Sequence, residues 1–206
     1  MINIYLARHG ETEYNRRNQI QGRGIDASLN ETGLRQARDI TGFLQDTPIQ
    51  KVVSSSLKRS IETASEIARN KKLDLVSYAD LDEMDFGHLE GKPISNIEDD
   101  LKELHQRWKS GDVEHSCRGG ESPAVVFDRA NKRAQMILGQ NIHNVLFVLH
   151  GRLLRILLSQ WLQYGLHQMH RIPHSNGALY HLQWNNTEFE AVYLNKTDHL
   201  FNEQKN

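Results

Sequence analysis

The sequence predicts an α/β fold: a three-layer α/β/α sandwich on a mostly parallel sheet with an antiparallel edge and a small helical cap-like excursion. Three observations lead there. Short apolar runs alternate with segments of helical periodicity, Val145 to Leu149 is continuously apolar like a strand buried on both faces, and the last third ends in a hairpin pattern. In order, Ile2 to Ala7 reads as a strand that ends near Gly10 and feeds a polar loop running to Ser28. Asn30 can cap a helix in which Leu34, Ala37, Thr41 and Leu44 share a face, stopped by Thr47 and Pro48. A strand around Lys51 to Ser54, a helix carrying Ile61, Ala64 and Ala68, and a strand around Leu73 to Tyr78 follow. Ile97, Leu101, Leu104 and Trp108 form one helical face, ended by Gly111, and this is the cap-like excursion. Ser122 opens a helix through Val126, Ala130 and Ile137. The strand Val145 to Leu149 delivers His150-Gly151 into an apolar helix beginning near Leu153. Ala178 to Trp184 and Glu188 to Leu194 form the hairpin around Asn185-Asn186-Thr187, and the last residues read as frayed.

The length of 206 residues suggests one domain, 1–206, with no repeat, low-complexity tract or linker. With 38% hydrophobic and 25% charged residues the balance is that of a protein that folds in water. Twenty-five Lys and Arg against 26 Asp and Glu leave a formal charge of −1, so no global basic field recruits nucleic acid or anionic lipid. Any anion site must be built locally. Cys117 is the one cysteine, which excludes an intramolecular disulfide framework and fits a reducing, cytoplasmic setting. Arg8 and His9 interrupt the N-terminus before an export signal can form, and no segment reads as a membrane span.

In open α/β sheets ligands bind beyond the carboxyl ends of the strands, where both Arg8-His9-Gly10 and His150-Gly151 should sit, so the two histidines can share a pocket. Nucleotide-binding signatures are absent. Gly87 to Pro93 imitates a P-loop, but its glycine spacing is one residue short and Pro93 stands where the Ser or Thr belongs; Gly22-Arg23-Gly24 lacks a third glycine.

The segment Leu6-Ala7-Arg8-His9-Gly10-Glu11-Thr12-Glu13-Tyr14-Asn15 resembles the Arg-His-Gly signature of the histidine phosphatase superfamily, the phosphoglycerate mutase-like family. Four more blocks follow in family order: Ser54 to Ala64, Leu81 to Gly91, Gly119-Gly120-Glu121-Ser122, and Val148-Leu149-His150-Gly151. The resemblance implies that His9 is the nucleophile, that Arg8, Arg59 and His150 form the phosphate pocket, and that Glu83 is the proton donor. It adds Asn15, Gln21, Gly22 and Gly151 as substrate-binding positions. The chemistry is consistent with each role. A neutral imidazole can attack phosphorus, arginine forks match phosphoryl oxygens, and a carboxyl group can protonate the leaving oxygen and then activate water. Asp26 to Asn30 departs from the family pattern, in which proline and threonine commonly precede the helix.

Other readings stay open at this point. Asp82 and Asp85 compete with Glu83, Asn15 can simply cap a turn, and Arg59 beside Lys58 can be a solvated charge. His167, His170 and His174 have spacings that suit a metal, but Pro173 breaks the helix, so neither metal nor cofactor is expected. Leu153, Ile156, Leu157, Leu158 and Leu162 read as a core face, while Arg16, Arg17 and Arg23, on the loop after His9, are candidates to meet the distal part of an anionic substrate. Specificity should come from that loop, Arg16 to Ser28, and from the excursion, Ser95 to Ser116.

The expected activity is cofactor-independent hydrolysis of a small phosphorylated metabolite through a His9 phosphoenzyme, the phosphatase branch of the family. The rivals are a phosphoglycerate mutase, a specialised phosphatase of the α-ribazole phosphate or sugar bisphosphate type, and a non-catalytic phosphate-ligand binding protein on the same scaffold. Only 66 residues separate Glu83 from His150, and the mutases it resembles usually carry a longer insertion there. Oligomeric state is open, a homodimer included.

Overall fold

A computed structural model describes residues 1–200; the fraying expected of the last residues concerns 201–206, which lie outside the described residues. Strand β1 (Ile2–Arg8) runs parallel to β4 (Asn144–Leu149), which runs parallel to β2 (Lys51–Ser55), and β2 pairs in parallel with β3 (Leu75–Tyr78). On the other side β5 (Leu179–Trp184) is antiparallel to β1, and β6 (Phe189–Lys196) is antiparallel to β5. The order is β3-β2-β4-β1-β5-β6, a mostly parallel sheet with an antiparallel edge.

Both faces are covered, which is why β4 has no polar alternation. Leu146 and Val148 pack with Ile40 of α2 (Glu31–Phe43) and with Ala64 and Ile67 of α3 (Lys58–Lys71). Val145, Phe147 and Leu149 pack on the opposite face with Val126 and Ala130 of α5 (Pro123–Leu138) and with Leu153 and Leu157 of α6 (Gly151–Trp161). Each fully buried Leu, Val or Phe contributes about 1.5–3 kcal/mol, so a one-residue slip of β4 would exchange its two apolar faces but leave both partners mispacked.

The capping residues act where sequence places them. Asn30 accepts the Gly33 N–H at 2.9 Å and Ser122 accepts that of Val125 at 3.3 Å, ahead of Pro123 in the first turn. The cap-like excursion contains α4 (Glu98–Lys109), which buries Leu101, Leu104 and Trp108. Two details differ from expectation. The polar loop after β1 holds a short helix, α1 (Glu13–Arg16), closed by a reciprocal Thr12–Asn15 capping box; four residues are too few to show periodicity. Helix α6 starts at Gly151, directly after His150, two residues ahead of the apolar run. Cys117 is a half-buried loop thiol that donates to the Phe86 carbonyl at 3.0 Å. Among the described residues no helix is long and apolar enough to cross a membrane.

Candidate active site

Because β1 and β4 are adjacent and parallel, their carboxyl ends place Arg8-His9 beside Leu149-His150, and the His9 N–H donates to the Leu149 carbonyl at 3.0 Å. The His9 and His150 rings lie 5.2 Å apart, centroid to centroid. Gly10 then turns the chain against the start of α2: a Cβ there would lie 2.8 Å from the Gly33 Cα, so only glycine admits this approach. The Gly10 N–H donates to Thr63 Oγ1 at 3.1 Å, tying the turn to α3 one helical turn beyond Arg59. Arg59, assigned by the resemblance to the phosphate pocket with a solvated charge as the rival reading, is fully buried.

His9 is 3% exposed. Its Nδ1 lies 2.7 Å from the Gly10 carbonyl, which can only accept, so Nδ1 carries the proton and Nε2 keeps its lone pair. Burial, then Arg59 and Arg8, hold this imidazole well below its ordinary value of 6.5 and therefore neutral. His150 is likewise buried and held well below 6.5, by burial first and then Arg59. Its Nε2 is 2.6 Å from Ser55 Oγ, at the end of β2. Ser55 Oγ accepts the Leu57 N–H at 3.2 Å and among the described residues has no acceptor for its own proton other than His150 Nε2, so it donates there and the His150 proton sits on Nδ1.

Five buried side-chain polar atoms have no hydrogen-bond partner among the described residues: Arg8 Nε, Gln21 Nε2, Arg59 Nε, His150 Nδ1 and His199 Nδ1. The first four belong to residues that sequence assigns to one pocket. The same side chains are anchored through other atoms: Arg59 Nη1 and Nη2 donate to the carbonyls of Ile25 and Gly22 at 2.7 and 3.1 Å, Arg8 Nη1 donates to the His174 carbonyl, and Gln21 Oε1 accepts from Thr12 at 2.7 Å. Burial pushes Arg59 down to about 10 and lowers Arg8 as well, the response of cations removed from water.

Glu83 is 6% exposed and receives three backbone N–H groups, from Met84, Arg152 and Leu153, each at 2.9 Å. The last two are orphan donors of the first turn of α6, so the helix that begins at His150 also seats the carboxylate. Its neighbours are tied elsewhere. Asp82 accepts the Ser56 N–H and hydroxyl, both at 2.8 Å, and Asp85 accepts the Gly87 N–H at 2.7 Å. Glu83 alone of the three lines the cavity.

That cavity, about 440 Å³, opens above Arg8, Glu83, Gly151, Asn15 and Gln21. His9, Arg59 and His150 are buried and do not line it, and Gly22 does not line it either but lends its carbonyl to Arg59. Asn15 both caps α1 and lines the cavity; its Oδ1 accepts from Asn176 Nδ2 at 3.0 Å. Gly151 must stay small, since a Cβ would meet His174 at 2.8 Å and Arg8 Nε at 3.2 Å.

Arg16 and Arg17 do not reach the cavity. They project to solvent and pair with Glu13, because α1 turns them outward; Arg23 pairs with Asp82 at 3.6 Å and Glu121 at 3.7 Å. The distal cations come instead from α6, Arg152 and Arg155, with His105 of α4 and His174 beside them. The apolar face of α6 masked both arginines in the sequence; their spacing of three residues on a helix that starts at His150 was the available signal. His167 and His170 line a different cavity from His174.

A family model described as the histidine phosphatase superfamily (branch 1) matches residues 4–197. The chain is 29% identical over 199 residues to putative phosphoserine phosphatase 2 of Hydrogenobacter thermophilus, covering 97% of this chain and 98% of that protein. It is 30% identical over 196 residues to the probable phosphoglycerate mutase GpmB of Proteus mirabilis, 93% and 89% of the two chains. It spans only 46% of the length of some longer mycobacterial relatives. The structure of mycobacterial glucosyl-3-phosphoglycerate phosphatase in complex with VO3 superposes with a TM-score of 0.86 at 24% identity, covering 96% of this chain and 100% of that one, which shows a shared fold.

Proposed function

The chain belongs to the histidine phosphatase superfamily, branch 1, and on that premise we propose that it hydrolyses small phosphomonoesters through a phosphohistidine on His9. One observation carries the reading. Arg8 Nε, Gln21 Nε2, Arg59 Nε and His150 Nδ1 are buried donors with no partner among the described residues. Leaving a buried donor unpaired costs about 1–3 kcal/mol, more for a charged group, and four such donors around one histidine are relieved together by the equatorial oxygens of a phosphoryl group.

In the first step the His9 Nε2 lone pair forms the N–P bond as the P–O ester bond breaks, and Glu83 in its acid form hands its proton to the departing oxygen. Arg8 and Arg59 hold the charge spread over the equatorial oxygens. In the second step Glu83 takes a proton from water, the water oxygen attacks phosphorus, and the N–P bond breaks to release inorganic phosphate and neutral His9. Asn15 and the N–H of Gly151 complete the rim.

Water, rather than a returning hydroxyl, resolves the phosphoenzyme, because the excursion between Glu83 and His150 is short and the cavity remains open to solvent. A mutase reading draws on the Proteus mirabilis relative. With 3-phosphoglycerate and a bisphosphoglycerate primer, phosphate release should outpace isomerisation; 2-phosphoglycerate formed with negligible phosphate would favour the mutase. The His9 assignment is tested by trapping an acid-labile, base-stable phosphoenzyme, and by His9→Ala, expected to lose about 10⁴-fold or more in kcat. Near-normal turnover of that variant would end the assignment.

A further inference from the structure

Helix α6 has two functions at its first turn, and only one is used by the chemistry above. The Arg152 N–H binds Glu83, while the Arg152 side chain points along the cavity to its far side. There Nη2 lies 2.8 Å from His105 Nε2 of α4, and the guanidinium carbon sits 5.2 Å from the centre of the Trp108 ring and 6.0 Å from that of Phe86. Arg152 can only donate, so His105 accepts through Nε2 and is neutral; burial and Arg152 push it down to about 4. The fork is therefore held from three sides, by His105, Trp108 and Phe86, and among the described residues Nε and Nη1 make no hydrogen bond.

No ion pair compensates it. Among the described residues Arg152 and Arg155 make no salt bridge with any carboxylate, although both line the cavity that also reaches Arg8. Arg155 spends Nε and Nη2 on the carbonyls of Met169 and His170 at 3.1 and 2.6 Å, which keeps it beside Arg152 instead of away from it. Burial first and then Arg155 lower Arg152 to about 10, with Glu83 acting in the opposite direction. Glu83 attracts Arg152 from the near end of the cavity, but it is engaged by backbone N–H groups and makes no salt bridge with either guanidinium, so two adjacent cations drawn out of water gain from an anion that a ligand supplies.

We propose that Arg152, oriented by His105 and Trp108, is the specificity-determining residue of this site and binds a second anionic group on the substrate, a carboxylate or a second phosphate. This rests on the phosphatase reading, in which Arg8 and Arg59 take the scissile phosphoryl group. The substrate class is then a small phosphomonoester with its second anion within the reach of one cavity, and the preference arises because only such a molecule satisfies both ends.

The test compares matched substrates that differ in that anion: 3-phosphoglycerate against glycerol 1-phosphate, and fructose 1,6-bisphosphate against fructose 6-phosphate. For the wild-type protein the kcat/KM ratio should favour the partner carrying the second anionic group in at least one pair by about tenfold to a hundredfold, the scale of one charge-assisted hydrogen-bonded contact. The pair that shows it identifies the anion as carboxylate or phosphate. Arg152→Gln, whose amide can still donate to His105, should bring that ratio toward one, mainly through KM, and Arg152→Lys should retain part of it. Ratios near one in both pairs for the wild type, or an undiminished ratio in folded Arg152→Gln, would overturn the proposal. The wild-type comparison needs no variant, so a misfolded variant leaves the test standing. Absence of turnover on all four substrates together with absence of a trapped phosphoenzyme would instead overturn the phosphatase reading; a trapped phosphoenzyme with flat ratios overturns only the role of Arg152.

Discussion

Ser55→Ala removes a hydroxyl that no substrate needs to touch, yet it should impair turnover. In the wild type the Leu57 N–H donates to Ser55 Oγ, which donates to His150 Nε2 at 2.6 Å, leaving the His150 proton on Nδ1, where a phosphoryl oxygen would be met. Ser55 and His150 are both fully buried, so water cannot easily replace the lost partner. The substitution orphans the Leu57 N–H and His150 Nε2; at about 1–3 kcal/mol per unsatisfied buried group the protein should lose about 2–6 kcal/mol of stability. For activity, His150 would no longer be locked in the Nδ1–H form. Removal of one preorganised oxyanion donor costs about 10²–10³ in kcat; a donor merely unlocked should cost less, about 10- to 100-fold. Ser55→Thr keeps the hydroxyl and should recover most of the rate even if packing lowers its stability. Urea unfolding separates the stability change, and kcat is read under conditions where each variant is folded. A folded Ser55→Ala with wild-type kcat, or a Ser55→Thr as slow as the alanine variant, would refute the relay.

Other outcomes follow from the same geometry. Glu83→Gln should slow alkyl phosphates far more than nitrophenyl phosphate, whose leaving group needs little protonation; equal losses, or a larger loss in Asp82→Asn, would remove Glu83 from the role. His9 is held well below 6.5, so its ring should stay neutral through pH 6.5 in an NMR titration of the ligand-free protein, and protonation of His9 near 6.5 would contradict that. The same shifts make stability pH-dependent. His105 and His174 are lowered in the folded protein to about 4 and about 3, so below pH 6.5 the unfolded chain binds protons that the folded one does not. Urea midpoints should therefore fall as pH drops from 6.5 toward 4, and constant midpoints over that window would argue against neutral buried imidazoles. Because Arg8 and Arg59 supply the positive charge at phosphorus and neutral His150 adds a hydrogen-bond donor, prolonged chelation should leave turnover intact; loss restored by one divalent ion would overturn that.

Local pattern determined much of this protein. The continuous apolar run of β4 requires cover on both faces, and α2 and α5 begin at Asn30 and Ser122 because those side chains satisfy first-turn N–H groups. That Arg8-His9 and His150 sit together follows from two strands ending in histidine turns, once the sheet is parallel. Tertiary structure decided what depends on partners far apart in sequence. Glu83 and Asp82 are adjacent carboxylates in one acidic stretch, and they differ only because Glu83 meets the N–H groups of Arg152 and Leu153 while Asp82 meets Ser56. Ser55 is an ordinary strand serine until β4 brings His150 to it. Arg152 and Arg155 lie among the leucines of α6, and their role depends on α4 closing from the excursion to place His105 and Trp108 against them. Periodicity and capping are properties of neighbouring residues and so are written along the chain. The partner that gives a buried charge its function is chosen by packing, which no local pattern encodes.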